Sequence, residues 1–223
     1  MENIGIRIFL AACLLLPIPL YGQTARTRYV AWVTPVGNNN VTIDGVAVGL
    51  MALPGKEGHL RINGLNIELV PVAIFTLPGS MILTMMNVVV GDSYAEPPTK
   101  IRTVIHGLSI SGGMFEEVEM HGVSFNINSY SGFSHGVEVS FFMNSNYMFS
   151  GVQLSMMGNR AVKGKGFQLG FYNSCDDCRV VQIGFLNRIG HRVLPLINFS
   201  LKKRNKVRAS SKIVTEKTDE GTL

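Results

Sequence analysis

Gly151-Val-Gln-Leu-Ser-Met, Gly166-Phe-Gln-Leu-Gly-Phe and Val180-Val-Gln-Ile-Gly-Phe are three versions of one phrase. Earlier versions are Gly107-Leu-Ser-Ile, Gly122-Val-Ser-Phe and Gly136-Val-Glu-Val-Ser-Phe. Their first residues fall at 107, 122, 136, 151, 166 and 180, so the steps are 15, 14, 15, 15 and 14 residues. A fixed period of this kind decides the architecture before any single residue does. Looser copies lie upstream, Val41-Thr-Ile-Asp-Gly45-Val-Ala-Val and Leu60-Arg-Ile-Asn-Gly64-Leu-Asn-Ile, with their glycines 19 residues apart.

Inside each copy, apolar residues alternate with Gln, Glu, Ser or Gly. Side chains alternate across a strand, so the pattern predicts strands. The apolar set, counted as positions two, four and six, is expected to face a core, and the polar set to face out. Gln153, Gln168 and Gln182 would then form one outward row flanked by Glu138. Asn128, Asn144, Asn159, Asn173, Asn187 and Asn198 close successive copies. Asn tolerates a left-handed backbone and bonds its own main chain. These residues are therefore expected to make the turns, together with the repeat glycines Gly107, Gly122, Gly136, Gly151 and Gly166.

Two all-β architectures accommodate such an array. In a β-solenoid each period is one coil, and every coil repeats the same turn. In an antiparallel meander or outer-membrane β-barrel each period is one strand, and turns alternate between two ends. Asn recurs at the same end of every copy, which favours the solenoid. The large apolar residues at position seven, Phe142, Met157, Tyr172 and Leu186, speak for the barrel, where one face of each strand meets lipid.

The rest of the chain divides around the array. Residues 1–22 read as a secretion signal: Arg7 is the positive charge, Ile8 to Leu16 the apolar core, and Gly22 the small residue before Gln23. The apolar run is too short to span a bilayer, which needs about 20 residues. Leu10-Ala-Ala-Cys13 also resembles a lipoprotein cleavage box and is ranked second. Residues 23–40 read as a leader, 41–201 as the repeat domain, and about 71–100 as an insertion within it. Residues 202–223 read as a basic disordered tail with seven Lys/Arg and three Asp/Glu, so +4 of the net +5. The body has no basic stripe interleaved with aromatics, so a nucleic-acid partner is not expected.

Cys175-Asp-Asp-Cys178 is the sharpest local motif. It is read as lying in a turn, and a disulfide is favoured over free thiols or a metal or redox role, since an exported chain is oxidised. His106, His121 and His135 each precede a repeat glycine. Stacked coils would set them about 4.8 Å apart, a spacing that suits a metal-binding or pH-sensitive ladder. The plainer reading, taken here, is that each fills a turn position open to any polar residue. Glu116, Glu117 and Glu119 lie nearby and read as a solvated edge. No Gly-x-Ser-x-Gly, His-Glu-x-x-His or phosphate loop is present. No catalytic site, metal or cofactor is therefore expected.

The copies over 151–199, and less closely those back to Val41, resemble the Gly-Leu-Gln-Ile-Gly-Leu-x-Asn surface repeats of exported Gram-negative envelope proteins. Arg192-Val-Leu-Pro-Leu-Ile-Asn-Phe is similar to the way such arrays end. The chain departs from that pattern in Val180, which replaces a glycine, and in its basic tail. The resemblance implies an exported location, in the outer membrane, at the cell surface or in the periplasm, with the outer membrane or an envelope polymer as partner. The expected role is structural, adhesive or interactive. A small outer-membrane barrel acting as pore or anchor is the alternative, and an envelope glycan hydrolase comes third.

Overall fold

The computed structural model describes residues 27–36, 40–54, 58–69, 97–114 and 116–201. The signal, the tail and most of the insertion lie outside the described residues. Among the described residues nine strands form one sheet in chain order: β1 (Thr27–Thr34), β2 (Asn40–Gly49), β3 (His59–Glu68), β4 (Thr103–Met114), β5 (Val118–Ser129), β6 (Phe133–Ser155), β7 (Gly158–Leu169), β8 (Tyr172–Ile189) and β9 (Arg192–Ser200). Consecutive strands from β1 to β8 pair in parallel. The fold is a β-solenoid. Parallel pairing excludes the up-and-down meander and barrel, whose neighbouring strands run antiparallel.

The register follows the repeat. Gly45, Gly64, Gly107 and Gly122 pair in succession, as do Gly122 with Gly136 and Gly151 with Gly166. Each of these glycines lies within a strand and not in a turn as expected, with φ between 126° and 150°, a region that side chains disfavour. Space excludes a side chain as well: a Cβ on Gly151 would lie 2.0 Å from the Gly136 carbonyl oxygen. Val180 takes the same register place opposite Gly166 without a left-handed backbone. Its side chain is instead buried among Phe149, Ala161, Cys175, Cys178 and Ile189.

The segment read as a leader supplies β1, which stacks on β2 as the first strand of the array. Tyr29 and Trp32 stack with ring centroids 4.1 Å apart and pack on the early apolar core of Val41, Ile43, Leu60, Ile62, Ile105 and Met120. β4 pairs directly with β3 across the insertion, so the two early copies and the main array are continuous. β9 turns back at Gly190 (φ 59°) and pairs antiparallel with β8.

Which set of side chains faces inward is the reverse of the expectation. Asn66, Ser109, Ser124, Glu138, Gln153, Gln168 and Gln182 are at most 1% exposed. Leu108, Ile110, Phe125, Phe141, Met156, Leu169, Phe171, Ile183 and Phe185 are 37% to 65% exposed. The outward row of glutamines is thus an inward column. Alternation separates two faces but does not say which is inside. Parallel stacking sets each polar side chain one strand spacing from its equivalent, where it finds a hydrogen-bond partner and becomes tolerable in the interior.

A further expectation changes. Among the described residues the only non-glycine residue with positive φ is Leu196. Asn144, Asn159, Asn173 and Asn187 are therefore not left-handed turn residues; their side chains are fully buried. Cys175 and Cys178 are joined as a disulfide, both buried, within the span of β8 but where the chain turns sharply: their Cα atoms are 5.9 Å apart, against about 10 Å for three residues of extended strand. Phe142, Met157 and Leu186 are half-buried and Tyr172 is buried, a stacked column at the corner between the apolar face and the asparagines.

Candidate functional site

Three arrangements follow from the stacking: a polar interior, an apolar outer face and a histidine ladder. In the interior, Gln182 Nε2 donates to Gln168 Oε1 (2.8 Å), Gln168 to Gln153 (2.7 Å) and Gln153 to the Glu138 carboxylate (3.2 Å). Asn144 Nδ2 donates to Asn159 Oδ1, Asn159 to Asn173 and Asn173 to Asn187, each at 2.8 Å. Asn144, Asn159 and Asn173 also donate to the carbonyls of Leu154, Leu169 and Ile183. The carboxyl of Glu138 is pushed up by burial, against hydrogen bonds from Ser129, Gln153, Asn146 and Ser134 that lower it. The Glu68 carboxyl, near Asn66 and the Ala52 amide, is raised for the same reason. These groups are closed to solvent and hold the coils together.

The apolar face lies on the other side of the same strand segments. Each coil sends the residues one, three and five places after its glycine outward, for example Phe167, Leu169 and Phe171 after Gly166. β9 extends the face with Ile197, opposite Ile183, and Phe199, opposite Val181. Phe171 and Phe185 stack with centroids 5.1 Å apart. Strand spacing and rise make the face about 35 Å by 14 Å, on the order of 500 Å². That is as large as the largest apolar patch on a typical soluble monomer, which is often a functional one.

The third arrangement is on the outer side of the strand segments before the glycines. Asp44, Asn63, His106, His121 and His135 follow one another in register. His106 and His121 stack with centroids 4.6 Å apart, and His121 and His135 at 4.8 Å. The stacking that a solenoid would impose on these histidines therefore exists, and they stand in strands, not at the turn positions of the plainer reading. Glu119 joins it, because a residue two places before His121 in a strand points to the same side. Its Oε1 lies 2.8 Å from His121 Nε2 and 4.0 Å from His135 Nε2. The ligand atoms of Glu119, His121 and His135 all fall within 4.8 Å of one another. Sequence reasoning placed Glu119 near the histidines but not among them; the two-residue spacing was the available signal. Glu117, by contrast, is held by Arg102 at 3.1 Å. His106 has its pKa lowered, first by burial and then by the charges of His121 and Arg61, with Glu119 opposing.

Among the described residues no helix is long and apolar enough to cross a membrane. No protein-family model, curated protein or solved structure matches this chain.

Proposed function

We propose that this chain is an exported cell-envelope repeat protein with a structural and adhesive role, and that it works by lying on an anionic lipid surface through its apolar face. The observation that carries this reading is the polarity of the strand segments after the glycines, with amides inside and leucines and phenylalanines outside, whereas the segments before them keep an apolar interior. A chain surrounded by water on all sides gains free energy from the opposite arrangement. The face fits a hydrocarbon boundary on one side of the molecule. Among the described residues the outer edges of β1 and β9 are unpaired; open sheet edges do not occur inside a bilayer, so the protein is proposed to lie on the membrane instead of spanning it. The tail supplies a second attraction: seven Lys/Arg against three Asp/Glu begin at Lys202, directly after β9, and basic segments are drawn to anionic lipid. The resemblance of the repeats to exported surface proteins supports the location.

Vesicle flotation tests the reading. The chain from Gln23 onward is expected to float with phosphatidylcholine vesicles containing phosphatidylglycerol, less with phosphatidylcholine alone, and less as salt rises. Replacing Phe125, Phe171 and Phe185 with Ser is expected to weaken partitioning by about tenfold or more per ring, given the transfer free energy of an aromatic side chain. The circular dichroism should stay unchanged. No flotation with either vesicle, together with a dimer that the same substitutions dissolve, would assign the face to a second copy and overturn the lipid reading.

A further inference from the structure

We propose that Glu119, His121 and His135 bind one divalent transition-metal ion, of the class Zn²⁺, Ni²⁺ or Cu²⁺. The inference does not rest on the lipid reading. Two imidazole nitrogens and one carboxylate oxygen converge from two adjacent coils. A tetrahedral ion with bonds of 2.0–2.1 Å places its ligand atoms about 3.3 Å apart. Here the glutamate oxygen is 2.8 Å from one nitrogen and 4.0 Å from the other; the two rings are stacked 18° from parallel, so binding requires them to turn out of the stack until both nitrogens face one ion. The scaffold holds the ligands in place: His121 is opposite His135 in the parallel register, and Glu119 is fixed two residues earlier on the same strand. The side chains are 29% to 35% exposed. An ion can enter from solvent, and water can complete its shell, the pattern of three protein ligands with one open position.

The donor set selects the metal class. Mg²⁺ and Ca²⁺ prefer all-oxygen shells, whereas imidazole with carboxylate suits Zn²⁺, Ni²⁺ and Cu²⁺. The site also relieves a conflict in the ladder. Stacked imidazoles repel when protonated, and Glu119 reaches only one of them at hydrogen-bond distance. An ion uses both rings in their neutral form and balances the carboxylate at the same time.

Calorimetric titration of the tag-free chain, disulfide intact, with ZnCl₂ is expected to give one ion per chain. His121→Ala, His135→Ala and Glu119→Gln should each weaken binding by about tenfold or more. Half-exposed positions tolerate such changes, and circular dichroism would confirm that the array persists. The unaltered protein offers a test that needs no substitution: Co²⁺ is expected to show the stronger visible bands of a nitrogen-ligated, low-coordinate ion. A Co²⁺ spectrum identical to that of the aquated ion would overturn the proposal. So would absence of zinc binding, or binding undiminished when both His121 and His135 are replaced.

Discussion

Glu138 is the only acidic member of the inward column Asn66, Ser109, Ser124, Glu138, Gln153, Gln168 and Gln182. Burial raises its carboxyl above the ordinary value of 4.5. The folded state therefore binds the proton more tightly than the unfolded chain. The stability owed to this residue is fully present below 4.5 and is lost as pH rises through the folded value. Glu138→Gln removes that loss and keeps an acceptor for Gln153, with Ser124 next in register to receive the new N–H. The variant is expected to melt higher than the parent, by a few degrees at pH 8 and less at pH 5, since ~1 kcal/mol moves a chain of this length by roughly 2–4 °C. Scanning calorimetry at the two pH values checks it; a lower melting point at pH 8 would mean that the charge itself is stabilising. His106, whose pKa is lowered, has the opposite sign: its contribution is fully present above 6.5 and is lost as pH falls through the folded value. At this scale the sequence displayed the residues but not their side. An alternating strand reads the same inside out, and the hydrogen bonds that make Gln153 and Gln168 acceptable inside exist only once coils are stacked.

At the scale of the strand, the glycine column and its one exception make opposite demands. Gly151→Ala forces a Cβ to 2.0 Å from the Gly136 carbonyl oxygen at φ 136°. The backbone of β6 would have to shift, at a cost expected to reach about 3 kcal/mol or more. Val180→Gly restores the residue of the other coils, yet is expected to destabilise by about 2–3 kcal/mol, because it empties a site packed by Phe149, Ala161 and Ile189. Urea denaturation of both variants separates the two effects; a Val180→Gly protein as stable as the parent would show that the repeat consensus outweighs packing there. The period and the strands were legible in the sequence because one glycine recurs at the same register place in each coil. Position 180 was visible as a departure, but its cause lies in residues one and two coils away. The turn at Cys175–Cys178 was legible for a simpler reason: Asp176 and Asp177 are turn residues, and the Cα atoms of the two cysteines lie 5.9 Å apart although β8 is continuous on either side.

For the molecule as a whole, the parallel array ends in one strand that cannot continue it. β9 runs antiparallel along β8, and Asn198 Nδ2 donates to the Asn187 carbonyl. A free β8 edge would instead offer a flat template to another chain. Truncation after Gly190 is expected to shift the protein to higher-order assemblies by light scattering, whereas truncation after Leu201, which keeps β9, should not. A truncated chain that stays monomeric would remove the capping role. The one-unit period revealed this architecture before the structure did, and the final Arg192–Phe199 segment was recognisable as an ending, though not its reversed direction. The two interior amide ladders carry a last consequence. The glutamine N–H groups point toward the first coils and finish on Glu138, while the asparagine N–H groups point toward the last. Their dipoles oppose one another along the axis. A coil added between existing ones would lengthen both runs in opposite senses, so an array of this kind can grow without building up a field from end to end.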